Sequence, residues 1–388
     1  MNIKENNRIE HLDVIANKLG DTIPKSHGHI KLSVIIPAKN ESAGILNTLI
    51  ALKNQKGICH LNYAFKNYEV FVLCHNCTDD TYGVCEKFSA EHPDFNLYPL
   101  VLNSSVATTV GAARRILMNI ASKRLTFDDG LIVSTDADTI PDAYWLYNLD
   151  HYLSTHIAMV CGLINVNHEG LKKQASRYLA SKDAYLLLKA KLESIMLPNP
   201  KDPWPRHAYN WGPNLALKKY VYNAVGGIKP LHFLEDVDLY NRVYSAGFSI
   251  RHCMNTTVHT SVRTDSRCDE GFGAELKVWS DYDDVDYNVE SLDKLICRYK
   301  IYHLIAEYYQ FPNQKILTAI HDLSYIEIEK IRDLFNRCER QEAMVIKIQE
   351  LLNSSQEWNV LFPNINVDEA CGKLTQHFEF LENTTSST

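Results

Sequence analysis

The chain has 388 residues, 45% hydrophobic and 22% charged, with a net charge of −7. That is the make-up of an ordinary globular protein, long enough for one large domain and an appendage. The acidic balance argues against nucleic acid as a partner, since duplex binding needs a cationic face that releases counterions.

The first eight residues, Met1 to Arg8, hold no apolar signal core. No stretch approaches the roughly eighteen apolar residues that a transmembrane helix requires. A soluble, cytoplasmic chain is the expectation. Ten cysteines are scattered over the length. The close pair in Cys74-His75-Asn76-Cys77 has the form of half a zinc site or a redox dithiol. A zinc site needs a second pair of matching spacing, which the sequence lacks, so reduced thiols are expected.

Ile9, Leu12, Ile15 and Leu19 fall at helical spacing before Gly20 and predict a helix within an N-terminal extension, residues 1–30. Lys31 to Pro37 reads as a buried first strand stopped by proline. A helix from Ala43 to Gln55 follows, with Ile45, Leu46, Leu49, Ile50 and Leu52 at apolar spacing. Tyr68 to Leu73 is the second strand. Thr78-Asp79-Asp80-Thr81 is rich in capping residues and opens a helix carrying Val84, Phe88 and Ala90. Asn96 to Val101 is a weaker strand interrupted by Pro99. A helix from Gly111 to Ser122 leads into the apolar run Gly130 to Thr135, which ends at Asp136-Ala137-Asp138. Thr139 to Asp142 reads as the turn that follows.

Met159 to Val166 is a further strand. A long helical pattern from Leu171 to Met196 is broken by Pro198, Pro200, Pro203 and Pro205. Asn210 to Asn214 reads as a loop, Lys218 to Val225 as a helix before Gly226-Gly227, Leu234 to Ala246 as a helix, and Phe248 to Val258 as a strand pair. Beyond about residue 290 the pattern is helical. Ser324 to Glu327 reads as a capping box opening an amphipathic stretch to Leu352, and the tail after Glu382 as disordered. Strands alternating with helices imply parallel pairing in a doubly wound α/β sheet. Such sheets bind ligands beyond the carboxyl ends of their strands.

Two carboxylates on one short turn, Asp136 and Asp138, are hard oxygen donors suited to Mg²⁺ or Mn²⁺, and such a cation suits a diphosphate. A solvated turn capped by two acids is the plain alternative.

Taken in order, Ser33 to Glu41, Asn76 to Thr81, Gly111 to Arg114, Asp136 to Asp138, Val225 to Gly227 and Glu235 to Leu239 resemble the family 2 glycosyltransferases. The resemblance spans roughly residues 31–265. It implies a GT-A fold, a Rossmann-like mixed α/β sheet flanked by helices, with a mainly helical region at 266–388 that covers the acceptor side or forms a homodimer contact. It implies metal-dependent transfer of a hexosyl group from a UDP- or GDP-sugar to a hydroxyl of a small or polar acceptor.

In that resemblance Pro37, Ala38 and Glu41 hold the nucleotide. The family's base-reading aspartate is replaced here by Cys74, which shifts base recognition to backbone groups or to Asn76. Asp79 is as much a helix cap as a ligand contact. Arg114 or Arg115 pairs with the donor at a helix N-terminus. Asp136 and Ala137 face the donor ribose or a metal-bound water, and Asp138 takes the Mg²⁺ or Mn²⁺ ion. Asp236 is the general base, with Glu235 and Asp238 beside it. An ordinary aspartate has a pKa of about 4, so positioning and the metal would carry much of the catalysis.

His259 completes the metal's coordination beside Asp138, and Arg263 and Arg267 meet the diphosphate or an acidic acceptor. Trp211, Gly212 and Asn214, with Trp204, His207, Tyr209 and Asn210, build the acceptor pocket. The stretch His259 to Arg263 is similar to glucosyl-3-phosphoglycerate synthases. Two other readings compete. A sugar nucleotidyltransferase would carry a glycine-rich loop after the first strand, which Pro37 to Glu41 lacks. A catalytically silent nucleotide-sugar-binding scaffold would have lost the acids that this chain retains.

Overall fold

The computed structural model describes residues 3–25, 28–167, 171–260 and 287–385. The chain divides into two compact units. One comprises Met1–Glu169, Tyr209–Val243 and Phe248–Glu275; the other comprises Gly170–Ala208, Tyr244–Gly247 and Leu276–Thr388.

The first unit is built on an eight-stranded sheet. Its strands are β1 (Leu32–Ala38), β2 (Tyr68–His75), β3 (Leu97–Leu102), β4 (Leu131–Ser134), β5 (Thr139–Pro141), β6 (Met159–Val166), β7 (Leu215–Lys218) and β8 (Ile250–Thr260). They lie in the order β3-β2-β1-β4-β7-β6-β8-β5. The strands β3, β2, β1 and β4 run parallel. Every residue of β1 and β2 is buried, which is why both read as unbroken apolar runs rather than alternating ones. Pro99 is tolerated in β3 because that strand forms the sheet edge. Glu69 is the one acid within the run of β2. It is buried, accepts from Ser33 Oγ at 2.9 Å, and meets both Nε and Nη2 of Arg124, at 3.0 and 2.8 Å.

Three strands depart from the sequence expectation. The segment Leu215–Lys218, given no strand from sequence and lying between the expected loop to Asn214 and the helix from Lys218, is β7, which pairs antiparallel with both β4 and β6 and makes the sheet mixed. Thr139–Pro141, read as a turn, is β5, antiparallel to β8. The expected strand pair at Phe248 to Val258 is the single strand β8. It runs parallel to β6, and the register jumps from Gly162↔Cys253 to Leu163↔Thr257.

Asn214 fills that irregularity. It donates to Leu163 O at 2.8 Å and Thr256 O at 2.9 Å, and accepts from Trp145 Nε1 at 2.9 Å. With its amide spent in this way and the residue 2% exposed, Asn214 is a strut of the sheet and not the acceptor ligand expected from sequence.

The helices of this unit are α1 (Ile3–Thr22), α2 (Ile45–Lys53), α3 (Thr81–Glu91), α4 (Val110–Arg124) and α5 (Trp145–Asp150). The N-terminal extension is thus a helix, as its spacing predicts. It is fixed to α4 through Asp13, which takes Arg115 Nε and Nη2 at 2.7 and 2.9 Å and Asn119 Nδ2 at 2.7 Å.

The second unit begins with α6 (Lys173–Met196). The sequence reading placed this helix in the first domain. Its Tyr185 and Leu192 instead share a core with Leu295, Tyr299, Val367 and Leu374. The capping box expected at Ser324 is overturned. Ser324 ends the helix Gln314–Ser324, Tyr325 caps it with φ 59°, and Ser324 Oγ accepts from Ile326 N. Two separate helices, Ile328–Arg337 and Gln341–Ser354, then replace one long stretch. The last helix, Val367–Thr385, runs past Glu382. No helix of the described residues is long and apolar enough to cross a membrane, and the nine cysteines among them are free thiols.

Asn214→Ala leaves the Trp145 indole N–H and two carbonyls without partners. It is expected to cost about 2–4 kcal/mol, read as a lower urea midpoint at unchanged m-value.

Candidate active site

The carboxyl ends of β1, β2 and β4 share one edge of the sheet, because the three strands are parallel neighbours. Two loops leave that edge side by side. Asn40 (φ 56°) follows β1 and Asn76 (φ 51°) follows β2; asparagine accepts this left-handed backbone better than most residues. Asn40 Oδ1 accepts from Thr78 N at 2.7 Å, Glu41 N donates to Thr81 Oγ1 at 2.7 Å, and Ser42 N donates to Asp79 Oδ2 at 3.0 Å. Burial works against ionisation of Asp79, but the bonds from Thr81 and Ser42 prevail and hold its pKa down to about 2. Asp79 is therefore the lacing between the loops, in line with its capping reading.

The expected nucleotide contacts divide. Glu41 lies partly exposed where α2 is entered, whereas Pro37 and Ala38 are buried within β1. The Asn76 side chain is spent on the following loop: Nδ2 goes to Ser104 O and Ala107 O at 3.1 Å each, and Oδ1 accepts from Ser104 N at 2.8 Å. It has no amide group left for a nucleobase, so its expected donor role is corrected. Cys74 is 1% exposed, and its neighbour Cys85, with burial, pushes its thiol pKa far up.

The fourth strand delivers the acids. Ala137 is buried, its carbonyl accepting from Thr48 Oγ1 at 3.0 Å, while Asp136 and Asp138 on either side of it are half-exposed. Arg114 rises from the first turn of α4, which Thr109 caps by accepting from Ala112 N. Its Nη2 donates to Asp136 Oδ1 at 2.6 Å and its Nη1 to Glu235 Oε1. Glu235 is the first residue of α8 (Glu235–Ser245).

The flat face of the guanidinium lies against Gly212. A Cβ there would sit 2.3 Å from the guanidinium carbon, so only glycine fits. Gly212 N in turn donates to Asp236 Oδ2 at 2.6 Å, and Val237 N donates to Asp236 Oδ1 at 2.8 Å.

Arg114 is therefore not presented to a diphosphate. Its side chain is 5% exposed and its terminal nitrogens face carboxylates. Glu235, at 3% side-chain exposure, is likewise an anchor and not a group that meets substrate. Both expectations are corrected for one reason: the pair is buried and bonded to itself.

The charges act on one another. Burial raises the pKa of Asp136, with Asp138 and Asp236 adding to the rise and Arg114 opposing it. Burial also raises Glu235, again opposed by Arg114 and reinforced by Asp236. Acids from β4 and α8, distant in sequence, thus share one field.

His259 stands opposite Ile140 in the β5–β8 pairing. Its Nε2 meets Asp142 Oδ1 at 2.8 Å, so the nitrogen expected to serve a cation is engaged by Asp142. Among the described residues no three acids, histidines or cysteines close into a metal cage. Trp211 is half-buried, its ring edge-on to Tyr209 at 4.9 Å. Arg263 and Arg267 lie outside the described residues. The functions of Asn40 and of the Gly212 N–H were missed from sequence. The one available signal was an asparagine or glycine inside each motif-bearing loop.

Residues 33–214 match the model of the family described as glycosyl transferase family 2. Those residues carry the family 2 glycosyltransferase pattern. A curated relative, the probable glycosyltransferase YdaM of Bacillus subtilis (strain 168), is 26% identical over 225 residues, 57% of this chain and 48% of its own length. The chain thus spans about half the length of that relative. Solved structures also resemble it. The mannosyltransferase PcManGT from Pyrobaculum calidifontis, in complex with GDP-Man and Mn²⁺, is 14% identical with a TM-score of 0.44, over 92% of this chain and 91% of that one. S. aureus TarS in complex with UDP-GlcNAc is 14% identical with a TM-score of 0.45, over 83% and 91%. The mixed sheet flanked by helices is the GT-A arrangement that the family 2 motifs imply.

Arg114→Met leaves buried Glu235 and half-exposed Asp136 without their counter-charge. At neutral pH the loss is expected to be about 3–5 kcal/mol. Because both pKa values are raised on folding, the folded chain holds more protons than the unfolded one above the ordinary carboxyl range. Stability then falls as pH rises through that window, and it falls further in the variant. Chemical unfolding from pH 4 to 7 should show the gap between variant and wild type widening with pH.

Proposed function

We propose that the family 2 domain transfers a hexosyl group from a nucleotide-diphosphate sugar to an acceptor hydroxyl, with Mg²⁺ or Mn²⁺ at Asp138. The supporting observation is the convergence of Asp136, Asp138, Glu235 and Asp236 at the carboxyl edge of the sheet, where Arg114 binds two of them.

The donor set fits such a cation. Mg²⁺ commonly takes one or two carboxylates and completes its shell with phosphate oxygens and water, so a half-exposed aspartate needs no cage around it. Asp138 would hold the ion, and Asp136, fixed on one oxygen by Arg114, would keep its other oxygen for the ribose or a bound water. When bound, the cation neutralises charge on the departing nucleoside diphosphate.

Asp236 is the group placed to accept the proton of the acceptor hydroxyl. Its carboxylate is oriented by Gly212 N and Val237 N, each oxygen keeping a lone pair. As the acceptor oxygen bonds to the anomeric carbon, the bond from that carbon to the diphosphate breaks and its electron pair leaves with the diphosphate. Glu235 and Arg114 are positioning residues that hold α8 and the Asp136 turn together. Glu41 and the backbone at the end of β1 are the remaining donor contacts. The likeness to glucosyl-3-phosphoglycerate synthases rests on His259 to Arg263, mostly outside the described residues, and adds no acceptor.

The first test is thermal unfolding with UDP- and GDP-sugars, with and without Mn²⁺, since a ligand that binds only the folded state raises the midpoint. A metal-dependent rise with one sugar nucleotide is expected, and Asp138→Asn should abolish both the rise and turnover while folding normally. Asp236→Asn should keep the rise and lower kcat by roughly 10²–10⁴. Full metal-dependent turnover in Asp138→Asn would defeat the reading.

A further inference from the structure

Gly226 and Gly227 take no part in the carboxyl-edge site. They line a cavity of about 530 Å³ together with residues of α1, α4 and the helix Lys219–Ala224. Every lining residue belongs to the first unit. From α4 the cavity takes Arg115, Asn119 and Ser122, whose spacing puts them on one helical face. Arg114, one step along the helix, points about 100° away, to Asp136 and Glu235. The cavity and the carboxyl-edge acids thus use different faces of one helix.

The anionic and carbonyl groups of the cavity are already engaged. Arg115, the alternative sugar-nucleotide contact expected from sequence, is 7% exposed. It gives Nε and Nη2 to Asp13 and Nη1 to Ile228 O at 2.8 Å. Asp13 also receives Asn119 Nδ2, so three N–H groups meet that one acid. The side-chain oxygens of the lining asparagines are occupied as well. Asn17 Oδ1 accepts from Lys123 Nζ, Asn119 Oδ1 from Tyr222 OH at 2.6 Å, and Asn223 Oδ1 from Ser122 Oγ at 2.9 Å.

What the walls retain is N–H: the amide groups of Asn17 and Asn223, and the remaining protons of the Lys123 and Lys219 ammonium groups. Lys219 lies 3.3 Å from Asp128, but that carboxylate is 79% exposed, and a pair so open to water neutralises weakly. The hydroxyls of Ser122 and Tyr222 have each given their proton away and keep lone pairs.

We propose that this cavity binds a phosphate monoester of a sugar or small polyol. Two ammonium groups and two amides, with the nearby acid Asp13 already satisfied, favour an anion rich in acceptor oxygens, and charge-assisted bonds to phosphate are the strong ones. The volume is that of a small organic ligand, more than a phosphate group alone fills. The phosphate meets Lys123, Lys219 and the Asn223 amide, and the hydroxyls of the ester meet Ser122 and Tyr222. The site does not rest on the transferase reading.

The test is calorimetric titration of the full chain with glucose 6-phosphate, inorganic phosphate and glucose, at low ionic strength with EDTA to withhold divalent cations. Glucose 6-phosphate is expected to bind, inorganic phosphate to bind severalfold more weakly, and glucose to give no signal. Lys123 and Asn223 are exposed, so Lys123→Met with Asn223→Leu should fold with an unchanged melting midpoint. That pair should weaken glucose 6-phosphate by roughly tenfold or more, whereas Lys123→Arg should keep most of the affinity. Asp138→Asn should bind the ester as the wild type does, which separates this cavity from the sheet edge. A wild type that binds neither phosphate overturns the inference. So does inorganic phosphate or glucose matching the ester, or a double variant with wild-type affinity. Binding lost in Asp138→Asn but kept in the double variant would move the phosphate to the sheet edge and overturn it equally.

Discussion

The bond pair from Arg114 to Asp136 and Glu235 is the constraint on which the rest of the site depends. One guanidinium joins the start of α4, the turn after β4 and the start of α8, segments separated by 22 and 121 residues in sequence. A buried ion pair of this kind is weak evidence of net stabilisation, because desolvation offsets most of the attraction. Its effect is geometric. The planar fork of arginine fixes two carboxylates at once, and the space it needs sets the identity of residue 212 as glycine. The backbone N–H of that glycine then orients Asp236. A chain of close contacts therefore runs from Asp136 to the proposed base without a flexible link.

Glu235 and Asp236 are adjacent in sequence, but neighbouring residues on a helix point in directions about 100° apart. Their tasks divide accordingly: Glu235 turns inward to Arg114, and Asp236 turns toward Gly212 N and remains half-exposed. The motif Glu235 to Leu239 identified both acids, yet a motif carries no information about which member is buried. The same holds for the amides. Asn76 and Asn214 were read as ligand contacts because asparagine suits nucleotides and sugar hydroxyls. Each is in fact consumed by backbone carbonyls and N–H groups that a loop exit and a strand bulge leave unpaired, and such groups must be satisfied when buried.

Much of the sheet was legible for a simple reason. The runs in β1, β2 and β6 are buried on both faces or nearly so, and their apolar composition does not depend on the rest of the chain. What escaped was short. The strands β5 and β7 have three and four residues, too few for a period to emerge, and β7 runs directly into α7 (Lys219–Ala224) with no turn residue to mark the boundary. In the second unit the Ser324 to Glu327 pattern matched a capping box by composition alone. A left-handed Tyr325 instead closes the preceding helix, and tertiary packing of that helix around Leu317 and Ile320 decides the outcome.

On the proposed reading, the electrostatics of the edge are balanced by the cation. Asp136 is raised by its own burial and by the charges of Asp138 and Asp236, and Arg114 offsets this only in part. Like charges held this close disfavour joint ionisation. A divalent cation held by Asp138 would relieve that repulsion and supply positive charge for a diphosphate. On the proposed reading, the acids whose mutual repulsion raises Asp136 are the same ones that make the edge selective for a metal–diphosphate pair. A bare diphosphate would meet only their repulsion. Donor and cation should for that reason bind as linked partners, each strengthening the other, which is the expectation for a site whose charge is balanced only when both are present.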